Sequence, residues 1–130
     1  MPALNWFAVV AAAVSAFVLG GLWYGPLFKN AWCLEAGIDP NAAPKHPARV
    51  FGTAFIASLL AAAGFAVYLG PAPALPVALH AGLAVGVAFV ATSFAINYAF
   101  AQRSLKLWLI DGGYHTVQFV LYGLILGLWH

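Results

Sequence analysis

The sequence predicts an all-α polytopic membrane protein: four transmembrane helices as two antiparallel hairpins, with a short interfacial helix after the first span. Three observations predict it. Of 130 residues, 65% are hydrophobic and only 6% charged, where an average soluble domain carries roughly a quarter charged residues. The mean hydropathy is +0.95. Gly-Pro pairs and short polar turns also divide the chain into four apolar segments, each about the 20 residues that a spanning helix needs. A single transmembrane domain over residues 1–130 follows, with no room for a soluble one.

Span one covers residues 4–24 and is expected to stop at Gly25-Pro26, because proline removes a backbone donor and disfavours helix in the residue before it. Its start carries no Lys or Arg, so it lacks the basic region of a secretory signal and reads as a mature helix. The loop 25–47 holds four prolines. Leu27, Phe28, Ala31 and Trp32 recur there at helical spacing, which suits a helix lying on the headgroups. Span two covers 48–69, after Pro47 at a favourable first-turn position. The uncharged turn Gly70-Pro71-Ala72-Pro73 leads to span three, 76–100, and Ala101-Gln102-Arg103-Ser104 leads to span four, 105–129.

All five basic residues, Lys29, Lys45, Arg49, Arg103 and Lys106, fall at the same ends of the spans. The excess of Lys and Arg in cytoplasmic loops places loops 25–47 and 101–105 inside a bacterial inner membrane, with both termini outside. The net charge of +2 is thus a topology signal, and no nucleic-acid partner is expected. The single cysteine, Cys33, has no partner for an internal disulfide or a thiolate metal site. His80, His130, Asn5, Trp6 and Trp129 fall near the outer boundary and read as anchors.

Small residues four apart mark helix contacts in lipid. Ala8, Ala12, Ala16 and Gly20 form one ridge, Ala74, Ala78, Gly82 and Gly86 a second, and Gly123 and Gly127 a shorter third. They serve packing within the bundle or, as the alternative, a homo-oligomer interface. Gly112 and Gly113 are expected to let another helix come close.

The chemistry-bearing residues gather on span four. Asp111, Tyr114, His115, Gln118 and Tyr122 recur at i, i+3, i+4, i+7 and i+11, one stripe of a helix. An ionisable residue within a span is costly and normally turned into the protein. The threading brings Asn97 and Tyr98 from span three, and Trp23 and Tyr24 from span one, to the same half of the bilayer. Asp111, His115, Asn97, Tyr98, Tyr114, Gln118, Trp23 and Tyr24 are therefore expected to line a cytoplasm-facing polar pocket. In one reading it binds or passes a small solute or proton, since histidine titrates near neutrality. In the other, Asp111 and His115 satisfy each other and Asn97 or a tyrosine as helix-packing glue, and the protein is an accessory that binds a protein or lipid. No metal site is assigned, because Asp111 and His115 supply two donors where a catalytic zinc takes three. The sequence holds no nucleotide-binding loop, serine nucleophile motif or haem-attachment motif, which disfavours an enzyme, and it specifies no cofactor.

Two stretches, G-G-L-W-Y-G-P-L-F-K-N-A-W at 20–32 and N-Y-A-F-A-Q-R-S at 97–104 followed by L-I-D-G-G-Y at 109–114, resemble the signatures of a family of small bacterial four-helix membrane proteins catalogued as a domain of unknown function. The resemblance implies a four-span inner-membrane protein and brings no activity with it. The matching positions are Trp23, Tyr24, Pro26, Trp32, Asn97, Tyr98, Arg103, Ser104, Gly113 and Tyr114.

Overall fold

The computed structural model describes residues 4–39, 41 and 46–130. Lys45, one of the five basic topology markers, lies outside the described residues, with residues 40 and 42–44 of the central proline-rich loop. Among those described, the regular structure is helical: α1 (Trp6–Leu22), α2 (Lys29–Ala36), α3 (Pro47–Leu69), α4 (Leu75–Ala84), α5 (Thr92–Phe100) and α6 (Leu105–Leu128). Two π-helical segments, Trp23–Leu27 and Val85–Ala91, extend α1 and join α4 to α5.

Local chemistry sets the ends. Asn5 caps α1, its side chain accepting from the Ala8 amide at 3.2 Å, and Ser104 caps α6, accepting from Leu107 at 3.0 Å, the role for which these residue types are favoured. Pro47 opens α3 and Pro76 sits in the first turn of α4, where no helical partner exists for the missing N–H. The α5–α6 turn closes with Gln102 in the left-handed region (φ 58°). The Arg103 amide bonds to Tyr98 O at 2.9 Å and the Gln102 amide to Ala99 O at 3.3 Å, a Schellman closure.

Span one kinks at Gly25-Pro26, where a stop is expected. Gly25 leaves helical geometry (φ −98°, ψ −107°) and absorbs the kink that Pro26 imposes, while Phe28 N reaches back five residues to Trp23 O at 2.9 Å. The chain carries on across this kink to Leu27. Beyond it α2 folds back: Trp32 packs on Tyr24 and Phe28 on Trp23, with ring centroids 5.1 and 4.9 Å apart. The aromatic side expected to rest on headgroups is thus spent on the protein, and Leu27, Leu34 and Ile38 are the exposed apolar residues here. Arg103 donates to Ala36 O at 3.1 Å, setting a cation at the C-terminal end of α2, where the helix dipole favours it.

Helix α6 is the centre of the bundle. It packs on α1 along one side and on α4 and the π segment along another, and α3 packs mainly on α1. The three small-residue ridges are used inside the chain, apart from Ala74, which is exposed. Ala8, Ala12, Ala16 and Ala78 have no exposed surface. A Cβ on Gly82 would stand 2.3 Å from Phe119 O, one on Gly123 2.3 Å from Ala78 O, and one on Gly86 2.6 Å from the Thr116 Cα. The α4 and α6 backbones touch, as small residues permit. Gly127 meets Leu75 and Gly20 meets the Tyr114 ring.

Large apolar side chains such as Phe7, Leu60 and Phe89 are exposed, while Ser58, Asp111 and Gln118 are buried. Among the described residues, three spans are long and apolar enough to cross a membrane: Trp6–Leu27, Pro47–Leu69 and Leu75–Phe100. Helix α6, with 24 residues and thus about 36 Å long, has the length but not the same apolarity, because it carries the polar stripe that the other helices cover.

Candidate functional site

The stripe on α6 resolves into two hydrogen-bonded clusters. At the cytoplasmic end proposed from the charges, Tyr24 from the π extension of α1 donates to Asp111 Oδ1 at 2.5 Å, and Tyr98 of α5 donates to Oδ2. Both carboxyl oxygens are therefore held by phenols from two other spans. Trp23 donates from Nε1 to Ile110 O at 2.9 Å, with its ring against Gly113. Tyr114 donates to Ala16 O at 2.9 Å. Gly112 and Gly113 do make room beside the aspartate, but side chains fill it: Ala91 and the Trp108 indole at Gly112, the Trp23 indole at Gly113.

The second cluster lies about one to three turns further along. His115 Nδ1 is 2.6 Å from Gln118 Oε1. A carboxamide oxygen only accepts, so Nδ1 carries the hydrogen. Gln118 Nε2 donates to Tyr122 Oη at 2.7 Å, and Tyr122 Oη shares a hydrogen with Ser58 Oγ of α3 at 2.5 Å. The His115 ring stacks on Phe94 of α5 with centroids 4.8 Å apart. Asp111 and His115 are not hydrogen-bonded to each other; each has its own partners.

Asn97 is not part of either cluster. It is exposed, and the reason lies in the π segment. The α6-facing residues of span three run Ala78, Gly82, Gly86, then Ala91, a step of five where an α-helix would step three or four. The extra residue turns everything after it by one position, so Phe94 and Tyr98 face α6 and Asn97 does not. The segment's carbonyls find other donors: Trp108 Nε1 to Ala91 O at 2.8 Å, Thr92 Oγ1 to Ala88 O at 2.7 Å and Ser93 Oγ to Phe89 O at 2.5 Å.

Ser58, Phe94 and Trp108 were not singled out from the sequence. Ser58 alone carried a signal, as a hydroxyl in the middle of an apolar span, the type of residue that hydrogen-bonds across helices. Two surface hollows lie away from both clusters, one of about 200 Å³ lined by residues including Asn5, Leu69, Pro71 and Trp129, and one of about 570 Å³ beside α2 at Cys33, Leu34 and Ile38. Among the described residues, no three His, Cys, Asp or Glu side chains are grouped as a metal site would need, and no buried side-chain polar atom lacks a partner.

No curated protein and no solved structure matches this chain. Residues 7–127 match the family described as "Protein of unknown function (DUF1761)", and the chain, matched over nearly its whole length, belongs to that family.

Proposed function

We propose that the protein is a four-span component of a bacterial cytoplasmic membrane that binds a partner, protein or lipid, within the bilayer, with its buried polar side chains locking α6 into its neighbours. The carrying observation is the closure of Asp111: both oxygens accept from tyrosines of two other spans. A polar group in lipid must be satisfied internally, and one so satisfied ties three spans to one register.

The fourth crossing is supported by the length of α6 and by its tight turn from span three, which obliges it to return across the bilayer. The described basic residues Lys29, Arg49, Arg103 and Lys106 assign that end to the cytoplasm, with α2 at the inner surface and both terminal ends outside. Since the glycine ridges are used within the chain, a second copy would have to meet the outward faces of α3 and span three, where Ile56, Leu60, Val87 and Phe89 are exposed. Single cysteines at Lys106 and His130 in a Cys33→Ser background test the threading: a membrane-impermeant maleimide added to intact cells should label position 130 and spare position 106, and the reverse pattern overturns it.

A second reading, binding or passage of a proton or small solute, is favoured by the identity of Asp111's partners, which are neutral phenols and not a cation. Asp111→Asn separates the two. The locking reading expects a lower melting temperature in detergent with no change in ion or solute flux in proteoliposomes. An unchanged melting temperature with lost pH-dependent flux overturns it in favour of the second.

A further inference from the structure

Span three carries two polar–aromatic doublets, Ser93-Phe94 and Asn97-Tyr98, four residues apart. The aromatic members face α6, Phe94 on His115 and Tyr98 on Asp111. The polar members face outward. Both are exposed, and among the described residues the Asn97 side chain makes no hydrogen bond. The π segment Val85–Ala91 selects which member of each doublet faces inward.

We infer that span three has a second register, in which the π segment relaxes to α-helix and Ser93 and Asn97 take the places of Phe94 and Tyr98 opposite His115 and Asp111. Removing one π insertion turns the helix beyond it by about 100° and shifts it by about 1.5 Å, which is the offset between the members of each doublet. The surroundings accept the exchange. Val90 would replace Ala91 beside Gly112, where the Trp108 indole, released from Ala91 O, gives way to the larger side chain, and the Asn97 amide would keep a donor on Asp111 while Tyr24 stays in place. The relaxed segment recovers regular backbone bonds and gives up the Trp108 bond to Ala91 O. Two arrangements of one packed element, each placing a hydrogen-bond donor on Asp111, are what a bistable switch requires.

The consequence is a gate. In the present register two aromatic rings seal the Asp111 and His115 clusters from the side of span three. In the second, a hydroxyl and a carboxamide stand there, and both clusters are uncovered toward the cytoplasmic half of the membrane.

A fluorine label on a cysteine at Ala95, in a Cys33→Ser background in lipid nanodiscs, reads the rotation, since Ala95 is half-buried now and would turn out to Ile96's exposed place. Tyr98→Phe removes the hydrogen bond that favours the present register, so a second fluorine resonance should grow roughly fivefold or more over the parent, the shift that loss of one such bond brings. Adding Asn97→Leu should abolish it. Deleting Val87 removes the extra residue and leaves Tyr98 inward on a regular helix, so one resonance is expected. A single unshifted resonance in the parent and in Tyr98→Phe, or a second one that survives the deletion or Asn97→Leu, overturns the inference.

Discussion

Tyr24 and Asp111 stand 87 residues apart in the chain and 2.5 Å apart in space, so the end of the first span is fastened to the first third of α6 through one carboxyl oxygen. Tyr98 fastens span three to the other. Hydrogen bonds of this kind contribute about 1–3 kcal/mol each. Tyr24→Phe and Tyr98→Phe should each lower stability in that range, and because both act on one carboxyl group their effects should be non-additive with Asp111→Asn. Thermal unfolding of the parent, the single variants and the two double variants in one detergent measures both cycles.

Tyr122→Phe tests the second cluster. The change leaves the ring in its fully buried place and removes the acceptor for Gln118 Nε2 and the partner of Ser58 Oγ. A buried donor left unpaired costs about 1–3 kcal/mol. Ser58→Ala should cost less, since Tyr122 retains Gln118 as a donor and Ser58 O, at 3.2 Å, as an acceptor. Equal losses in the two variants, in the same unfolding assay, would contradict this order.

Alanine at the glycines divides them into two groups. At Gly82 and Gly123 the new methyl would lie 2.3 Å from a backbone carbonyl oxygen of the facing helix, which cannot rotate away, so each substitution should separate α4 from α6 at a cost of about 1–3 kcal/mol or more. At Gly52 and Gly64 nothing lies within 4 Å, and alanine there should be neutral or slightly stabilising by helix propensity. Recovery of folded protein by size-exclusion chromatography after a heat step distinguishes the groups.

Gln102→Gly should stabilise the α5–α6 turn. Gln102 sits at φ 58°, a conformation costing an L-residue roughly 1–2 kcal/mol, and glycine removes that penalty while keeping the amide hydrogen bond. A melting temperature raised by a few degrees is the expected outcome, against which the entropy of an added glycine works only partly.

Trp108→Phe removes the only side chain outside span three that caps the π segment among the described residues. Backbone amides of residues 85–92 should then exchange faster in hydrogen–deuterium measurements, while those of 78–82, wedged against α6, should not change.

Much of this arrangement could be read before any coordinates. Hydropathy and Gly-Pro punctuation located the helices, and threading alone brought Trp23, Tyr24, Tyr98, Asp111 and Tyr114 to one end. The small-residue ridges were visible too, but a ridge does not say whether its partner belongs to the same chain. Asn97 shows where such reading stops. Helical periodicity assumes one rotation per residue, and a π insertion between Gly86 and Ala91 changes the facing of everything after it without a marker in the local sequence. The glycines beside Asp111 mislead in a similar way, because space beside a backbone can be taken by an indole as well as by a helix. The pairing of His115 with Gln118 instead of Asp111 depends on rotamers that spacing does not specify.

The central place of α6 bears on how the protein is made. Every other span owes buried contacts to a helix that the ribosome produces after all of them, so Ala8, Ala12 and Ala16 must wait in the translocon's lipid surroundings with their contact face uncovered. Span one and span two can meet early, but the Asp111 fastenings to Tyr24 and Tyr98 close only after residue 111 has been made. A chain stopped before Leu105 would accordingly be an assembly intermediate without a keystone, a ready substrate for membrane quality-control proteases.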